Sequence, residues 1–239
     1  MKIALLGYGK MGKAIGQAAV ARGHEIALTL SSSNASILTP KLLKQADVAL
    51  EVSTPQSARH HVLTCFEAGI PVVCGTTGWP ESLEEIRRTC LSGGHAFLYT
   101  SNFSIGVNLF FRLNELLARL MESQPGYRPL IEETHHVHKK DAPSGTALTL
   151  VSQILDQVSR LRGWTPQEPG PSDLVPVISH REDEVPGTHR VLWKSDSDSL
   201  EVIHTAYNRE GFAQGAVTAA EWILGKKGVF SMSDVLGTP

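Results

Sequence analysis

Between positions 132 and 147 the chain reads Glu132-Glu133-Thr134-His135-His136-Val137-His138-Lys139-Lys140-Asp141-Ala142-Pro143-Ser144-Gly145-Thr146-Ala147. Three of the ten histidines fall within four residues here, beside two lysines. Imidazole moves a proton near neutral pH, and an ammonium is a strong point charge that can also donate one. Ser144 is suited to cap a helix that starts behind Pro143, and Gly145 permits close approach. The free N–H groups of such a first turn suit a carboxylate. Several positive groups beside a helix N-terminus fit a small substrate carrying two carboxylates. A metal centre is the weaker reading, because no cysteine or further histidine lies at ligand spacing and the lysines oppose a cation. A solvated charged turn is the bland alternative.

A second motif stands at the start of the chain. An apolar run, Lys2 to Leu6, leads into Gly7-Tyr8-Gly9-Lys10-Met11-Gly12, which is G-x-G-x-x-G between a strand and a helix. Gly7 takes the tight turn, Gly9 lets a pyrophosphate approach the backbone, and Gly12 lets the helix pack against the strand. The helix start then faces the phosphates, where Lys10 and Lys13 could add charge. Dinucleotide binding is the expectation. The acid that usually binds the ribose of NAD some 20 residues later is absent. That stretch reads Leu30-Ser31-Ser32-Ser33-Asn34. Without a carboxylate a 2′-phosphate meets no repulsion, and a hydroxyl such as that of Ser31 could bond it. The cofactor is expected to be NADPH or NADH, with NADPH at least tolerated.

These motifs need a frame. The chain has 239 residues, 41% hydrophobic and 19% charged, which excludes a mostly disordered protein. Its 22 basic residues against 24 acidic leave no basic excess for nucleic acid or an anionic membrane. No apolar run approaches the length of a membrane span, and the N-terminal run is too short for a signal peptide. Three cysteines without a C-x-x-C pair argue against disulfides or structural zinc, and a cytoplasmic location is expected.

Short apolar runs alternate with helical patterns through the first hundred residues. Strands are expected at Lys2–Leu6, Glu25–Leu30, Val48–Val52, Pro71–Cys74 and Ala96–Thr100, with helices at Lys13–Arg22, Ala58–Ala68 and Glu81–Leu91. This predicts a parallel, doubly wound α/β sheet covered on both faces. After Asn102 the rhythm changes. Ile105–Glu122 reads as a long helix with Val107, Leu109, Phe110, Leu113, Leu116, Leu117 and Leu120 as its apolar positions. Ser144–Leu161 reads as another, followed by a proline-rich loop. Strand patterns at Arg128–His136, Leu174–His180, His189–Ser195 and Leu200–Tyr207 predict a smaller α+β domain with an open mixed sheet. A last helix, Phe212–Leu224, is expected to return to the first domain. The expected domains are 1–102 with 208–239 for dinucleotide binding, and 103–207 for substrate binding and oligomerisation, with a cleft between them.

The stretch E-x-H-H-x-x-K-x-D-x-P-S-G-T-A, from Glu133 to Ala147, resembles the signature of the 4-hydroxy-tetrahydrodipicolinate (dihydrodipicolinate) reductase family. Gly75-Thr76-Thr77-Gly78, Ser101-Asn102-Phe103-Ser104 with Gly106-Val107-Asn108, and Arg209, Phe212, Gly215 and Ala216 are similar to further segments of that family. The likeness covers essentially the whole chain. Its glycine turn is one residue shorter than the common family form, and Leu130 stands where an acid is frequent. The resemblance implies a Rossmann-like first domain and reduction of a cyclic dicarboxylate by a nicotinamide cofactor, with loss of water, in diaminopimelate and lysine biosynthesis. It implies that His135 is the general acid and base and Lys139 a proton donor, with His136, Gly145 and Thr146 on the substrate carboxylate, beside the cap Ser144. Gly75, Thr76 and Thr77 would hold the nicotinamide end, lined by Thr100, Ser101, Asn102 and Phe103. A homotetramer built through the substrate-domain sheets is implied too. A non-catalytic dinucleotide sensor, another nicotinamide reductase of the same plan and a metal hydrolase are the alternatives, separated by whether a dicarboxylate triggers cofactor oxidation.

Overall fold

The computed structural model describes residues 1–208 and 210–237, with the side chain of Ala35 left aside. Arg209, one of the family-like positions, lies outside the described residues. The chain divides into two compact units, Met1–Ile105 together with the chain from Glu210 onward, and the residues between.

The first unit begins with β1 (Lys2–Leu6), α1 (Lys10–Ala21), β2 (Glu25–Leu30), α2 (Pro40–Leu43) and β3 (Val48–Glu51). It continues with α3 (Pro55–Ala68), β4 (Val72–Cys74), α4 (Pro80–Gly93) and β5 (Ala96–Tyr99). Ile3 to Leu6 and Val48 to Leu50 are completely buried. Strands covered on both faces need such unbroken apolar runs rather than alternation. The strand period of two sorts their side chains: Ala4, Leu6 and Ala49 enter one core layer, while Ile3, Leu5, Val48 and Leu50 enter the other. Proline opens α3 and α4, and left-handed Gly69 and Gly94 end them.

In the second unit, α5 (Ile105–Met121) is followed by β6 (Arg128–His135), α6 (Gly145–Gln157) and β7 (Gly163–Thr165). Then come β8 (Leu174–Arg181), β9 (Gly187–Lys194) and β10 (Ser199–Ala206). Their order is β10-β9-β6-β8-β7, with β6, β8 and β7 mutually parallel and β9 and β10 antiparallel, so the sheet is mixed as expected. The chain then rejoins the first unit through α7 (Glu210–Ile223), β11 (Gly228–Phe230) and α8 (Met232–Val235). The first sheet has the order β11-β5-β4-β3-β1-β2, all parallel. Ala213, Ala216, Ala219 and Ala220 of α7 pack in its second core layer. A Cβ on Gly215 would lie 1.8 Å from the Phe103 carbonyl oxygen, so glycine is what lets α7 approach this closely.

Some boundaries differ from expectation. The helix expected to reach Leu161 stops at Gln157, where Val158 turns extended. Arg160 beyond it donates to the carbonyls of Met121, Glu122, Gln124 and Tyr127, and Ser159 bonds the Glu122 carboxylate. Those ties to the end of α5 outweigh the helical period. On α5 itself, Val107 and Phe110 are buried, whereas Leu109, Leu113, Leu116 and Leu120 are exposed. No described helix is long and apolar enough to cross a membrane.

Candidate active site

The glycine turn sits at the carboxyl edge of the parallel sheet. Gly7 has φ +111°, and a Cβ there would lie 2.4 Å from the Val52 carbonyl oxygen. A Cβ on Gly12 would lie 2.0 Å from the Gly7 oxygen. Neither backbone atom can move aside, so both positions require glycine. A Cβ on Gly9 would meet nothing within 4 Å, which leaves open space where a pyrophosphate must approach. The first turn of α1 holds no acidic side chain, and Gly9 caps it without a side-chain bond. Its leading N–H groups therefore remain for an anion. The helix begins at Lys10 rather than Lys13, because Gly9 already accepts from the Lys13 N–H at 3.0 Å.

Two cavities adjoin this turn. One, of about 300 Å³, is lined by Gly7, Tyr8, Gly9 and Ser31 among the expected residues. The other, of about 380 Å³, is lined by Met11, Gly75, Thr76, Thr77, Ser101, Asn102 and Phe103. A Cβ on Gly75 would sit 2.3 Å from the Phe103 ring, and the buried Thr76 hydroxyl is turned toward the Glu51 carboxylate. Lys10, Gly12 and Thr100 line neither cavity. Thr100 instead shapes the loop, since its hydroxyl donates to the Asn102 carbonyl at 2.8 Å. Ser31 is engaged in its own turn, with Oγ 2.8 Å from the Ser33 hydroxyl. Sequence reasoning missed Val52 and Ser53, which line both cavities. Their position just past β3, at the edge where the turn after β1 also lies, was the available signal. The open Gly9 and the two enforced glycines fit a dinucleotide.

In the second unit the organising group is Glu133, completely buried on β6. It lies two residues before His135, so both project from one face of the strand. Its carboxylate accepts the Ser144 N–H at 3.0 and 3.1 Å, the Ser179 hydroxyl at 2.8 Å and the Arg181 guanidinium at 3.3 Å. Arg181 also donates to the carbonyls of Lys139 (3.3 Å) and Asp141 (2.5 Å). One buried carboxylate and one arginine thus fasten both ends of the loop between β6 and α6. Burial alone would raise the pKa of Glu133, but the bonds from Ser144 and Ser179 and the neighbouring His135 hold it below the usual range.

His135 lies at the end of β6, almost buried, with Nδ1 3.5 Å from Glu133 and without a well-formed hydrogen bond. Burial pushes its pKa down, opposed by Glu133 and assisted by Lys139 and Arg181. Gly187 makes room for it, because a Cβ there would stand 3.1 Å from His135 Nε2. The Lys139 ammonium bonds both oxygens of Asp141 at 2.8 Å. His136 is half-buried, with Nδ1 unpartnered. His138 is exposed, beside Glu184 at 3.1 Å. Ser144 caps α6 as expected, accepting the Ala147 N–H at 3.2 Å. Its own N–H and hydroxyl are occupied, the latter 3.2 Å from His189 Nε2. Gly145 and Thr146 follow with open space around Gly145, and the Ala147 and Leu148 N–H groups behind them already bond Ser144.

His189 was not foreseen. It crosses His135 edge-on with ring centroids 4.9 Å apart, and ligand atoms of Glu133, His135 and His189 lie within 4.8 Å of one another. Sequence spacing gave no hint of this metal-like trio. The Glu133 oxygens are already shared among Ser144, Ser179 and Arg181, and the guanidinium opposes a cation there. Burial pushes the His189 pKa down to about 4. The unfolded chain therefore takes up this proton first, and stability is lost as pH falls from the ordinary value of 6.5 toward 4. The loss attributable to His189 is roughly 3 kcal/mol. Denaturant unfolding between neutral and acid pH should show a shallower decline for His189→Gln than for the wild type. Equal slopes would contradict it.

A glycine-turn parallel sheet with two cavities at its carboxyl edge, and a second unit carrying an imidazole, an ammonium and a helix N-terminus, point to the class of nicotinamide-dependent oxidoreductases. Comparison with known proteins narrows this class. The chain belongs to the dihydrodipicolinate reductase family: the family's N-terminal domain matches residues 1–103 and its C-terminal domain residues 106–236. A 4-hydroxy-tetrahydrodipicolinate reductase of Christiangramia forsetii is 46% identical over 99% of this chain and 98% of its own. One of Neisseria meningitidis is 34% identical over 82% of this chain and 74% of its own. Among solved structures, a dipicolinate-bound dihydrodipicolinate reductase of Paenisporosarcina superposes with a TM-score of 0.81, 22% identity and 97% of each chain covered.

Proposed function

We propose that His135 and Lys139 manage the protons of the family's reaction in this chain, while Gly145, Thr146 and His136 hold a substrate carboxylate. The reaction is the NADPH- or NADH-dependent reduction of 4-hydroxy-tetrahydrodipicolinate to tetrahydrodipicolinate, with loss of water. When bound, the reduced nicotinamide supplies a hydride to the substrate ring. Negative charge then develops on that ring, and the Lys139 ammonium and the His135 imidazole are suited to stabilise it and to deliver the closing proton. The substrate's own carboxylates would raise the pKa of His135, opposing the depression by burial. The N–H groups of Gly145 and Thr146 hold a carboxylate without needing a proton themselves. Ser144 contributes as the cap that keeps this turn in place. The glycine turn with Ser31 would take the adenosine and pyrophosphate, and Gly75 to Thr77 with Thr100 to Phe103 the nicotinamide end.

The observation that carries this reading is the buried Glu133–Arg181 fastening, which holds His135, Lys139 and the start of α6 in one cluster. Steady-state kinetics test it. Lys139→Ala should lower kcat by about 10²-fold, and an unchanged rate would remove the ammonium from the reaction. Thr146→Val keeps the backbone N–H and removes only the hydroxyl, a second donor to the same carboxylate. It should therefore mainly raise the substrate KM, and an effect confined to the cofactor KM would contradict carboxylate binding there.

A homotetramer in the cytoplasm is the setting we propose. In support of oligomerisation, Leu109, Leu113, Leu116 and Leu120 form an exposed apolar stripe on α5, and Leu200 and Ile203 are exposed on the edge strand β10. Sedimentation of the purified chain distinguishes a tetramer from a monomer.

A further inference from the structure

The end of β3 holds a buried charge that the proton chemistry above does not use. Glu51 is completely buried at the carboxyl edge of the parallel sheet. Its carboxylate accepts from the Ser53 N–H (3.2 Å), the Ser53 hydroxyl, His61 Nδ1 (3.2 Å) and the Cys74 thiol (3.2 Å). Burial alone would raise its pKa, but the bonds from His61, Ser53, Thr76 and Cys74 more than offset this and hold it below the usual value. A buried anion is costly unless it is hydrogen-bonded in this way, so the arrangement fixes its partners as firmly as they fix it.

Two of those partners face the cofactor cavities. Ser53 lines both of them, and His61, on α3, lines the one beside Gly9, Ser31 and Ser32. Among the described residues lining that cavity there is no Asp, Glu, Lys or Arg. It thus has no carboxylate for the ribose hydroxyls of NADH and no fixed cation for the 2′-phosphate of NADPH. His61 is its imidazole. With Nδ1 donating to Glu51, Nε2 is the nitrogen left to meet a ligand. It accepts from a ribose hydroxyl in the neutral ring and donates to a phosphate oxygen in the protonated one.

We propose that His61 binds the adenosine end of the dinucleotide through Nε2 and discriminates between the two cofactors. Glu51 is its positioning residue, fixing the ring directly and the loop after β3 through Ser53. This rests on reading the two cavities as the cofactor site. One imidazole, held by a buried carboxylate, takes the place of the acid missing after β2.

Calorimetric titration with ADP-ribose and with 2′-phospho-ADP-ribose, which carry the adenosine end without nicotinamide, tests it. His61→Ala should weaken at least one probe about tenfold and change the ratio between the two, with the substrate KM unmoved. His61→Gln, whose amide reaches the place of Nε2, should recover part of the affinity. Glu51→Gln should weaken the same probe by a smaller factor. Nitrogen NMR of the wild-type chain provides a readout that needs no variant to fold: the His61 Nε2 resonance should shift on adding ADP-ribose. A wild type that binds both probes while His61→Ala binds them equally well, or while the His61 resonance stays put, overturns the proposal and leaves the cofactor site standing. A wild type that binds neither probe nor NADH nor NADPH overturns both.

Discussion

Replacing His135 by glutamine is expected to lower kcat by about two to three orders of magnitude while leaving cofactor affinity unchanged. Glutamine keeps a polar side chain at the end of β6 but cannot exchange a proton near neutral pH. The pH profile gives the sharper form. In the free chain, burial holds His135 below the ordinary histidine pKa, against the pull of Glu133. A bound dicarboxylate adds negative charge and reverses that shift. The histidine limb of the kcat profile should therefore lie at higher pH than that of kcat/KM, since the first reports the complex and the second the free enzyme. Both limbs should vanish in His135→Gln. Equal losses of turnover and cofactor affinity would contradict the assignment.

Glu133→Ala should have the largest effect on stability. It leaves the Arg181 guanidinium and the Ser144 N–H without their buried acceptor. Removing one partner of a fully buried pair costs about 3–5 kcal/mol. Because Arg181 is partly exposed and keeps its carbonyl acceptors, the loss should fall toward the lower end of that range. The damage is predicted to be functional as well, because the loop bearing Lys139 is fastened by the same arginine. Denaturant unfolding should show a lower midpoint, and activity should fall by more than the unfolded fraction explains. Glu133→Gln keeps an acceptor and should do less harm. A loss for Glu133→Ala of under about 1 kcal/mol would show that the carboxylate is not the organising group.

What could be read from the sequence follows from how local each cause is. The glycine turn carries its own steric reasons, and Gly7 and Gly12 are forced by backbone atoms a short loop away. The buried strands of the first sheet declare themselves as unbroken apolar runs. Strand β11 is three residues long and α2 four, too short for any period to register. Ile154, Val158 and Leu161 repeat at helical spacing and are all buried, yet only the first is in the helix. The ties from Arg160 to the end of α5 decide where it stops. His135 and Lys139 stand out because proton chemistry needs those residue types. Their support does not, since Ser179 and Arg181 reach Glu133 from 46 and 48 residues away. His61 was hidden for the same reason: only the folded edge of the sheet brings it to Glu51 and to the cavity beside Gly9.

The central claim is that a dinucleotide anchored by its pyrophosphate at the glycine turn passes hydride to a dicarboxylate whose protons are managed by His135 and Lys139. Cofactor labelled with deuterium at the transferable position of nicotinamide C4, supplied with enzymatically generated 4-hydroxy-tetrahydrodipicolinate, tests this most directly. One deuterium should appear in tetrahydrodipicolinate for each cofactor oxidised, with no oxidation when the dicarboxylate is omitted. Cofactor bound without oxidation, or oxidised with no label in the product, would contradict it.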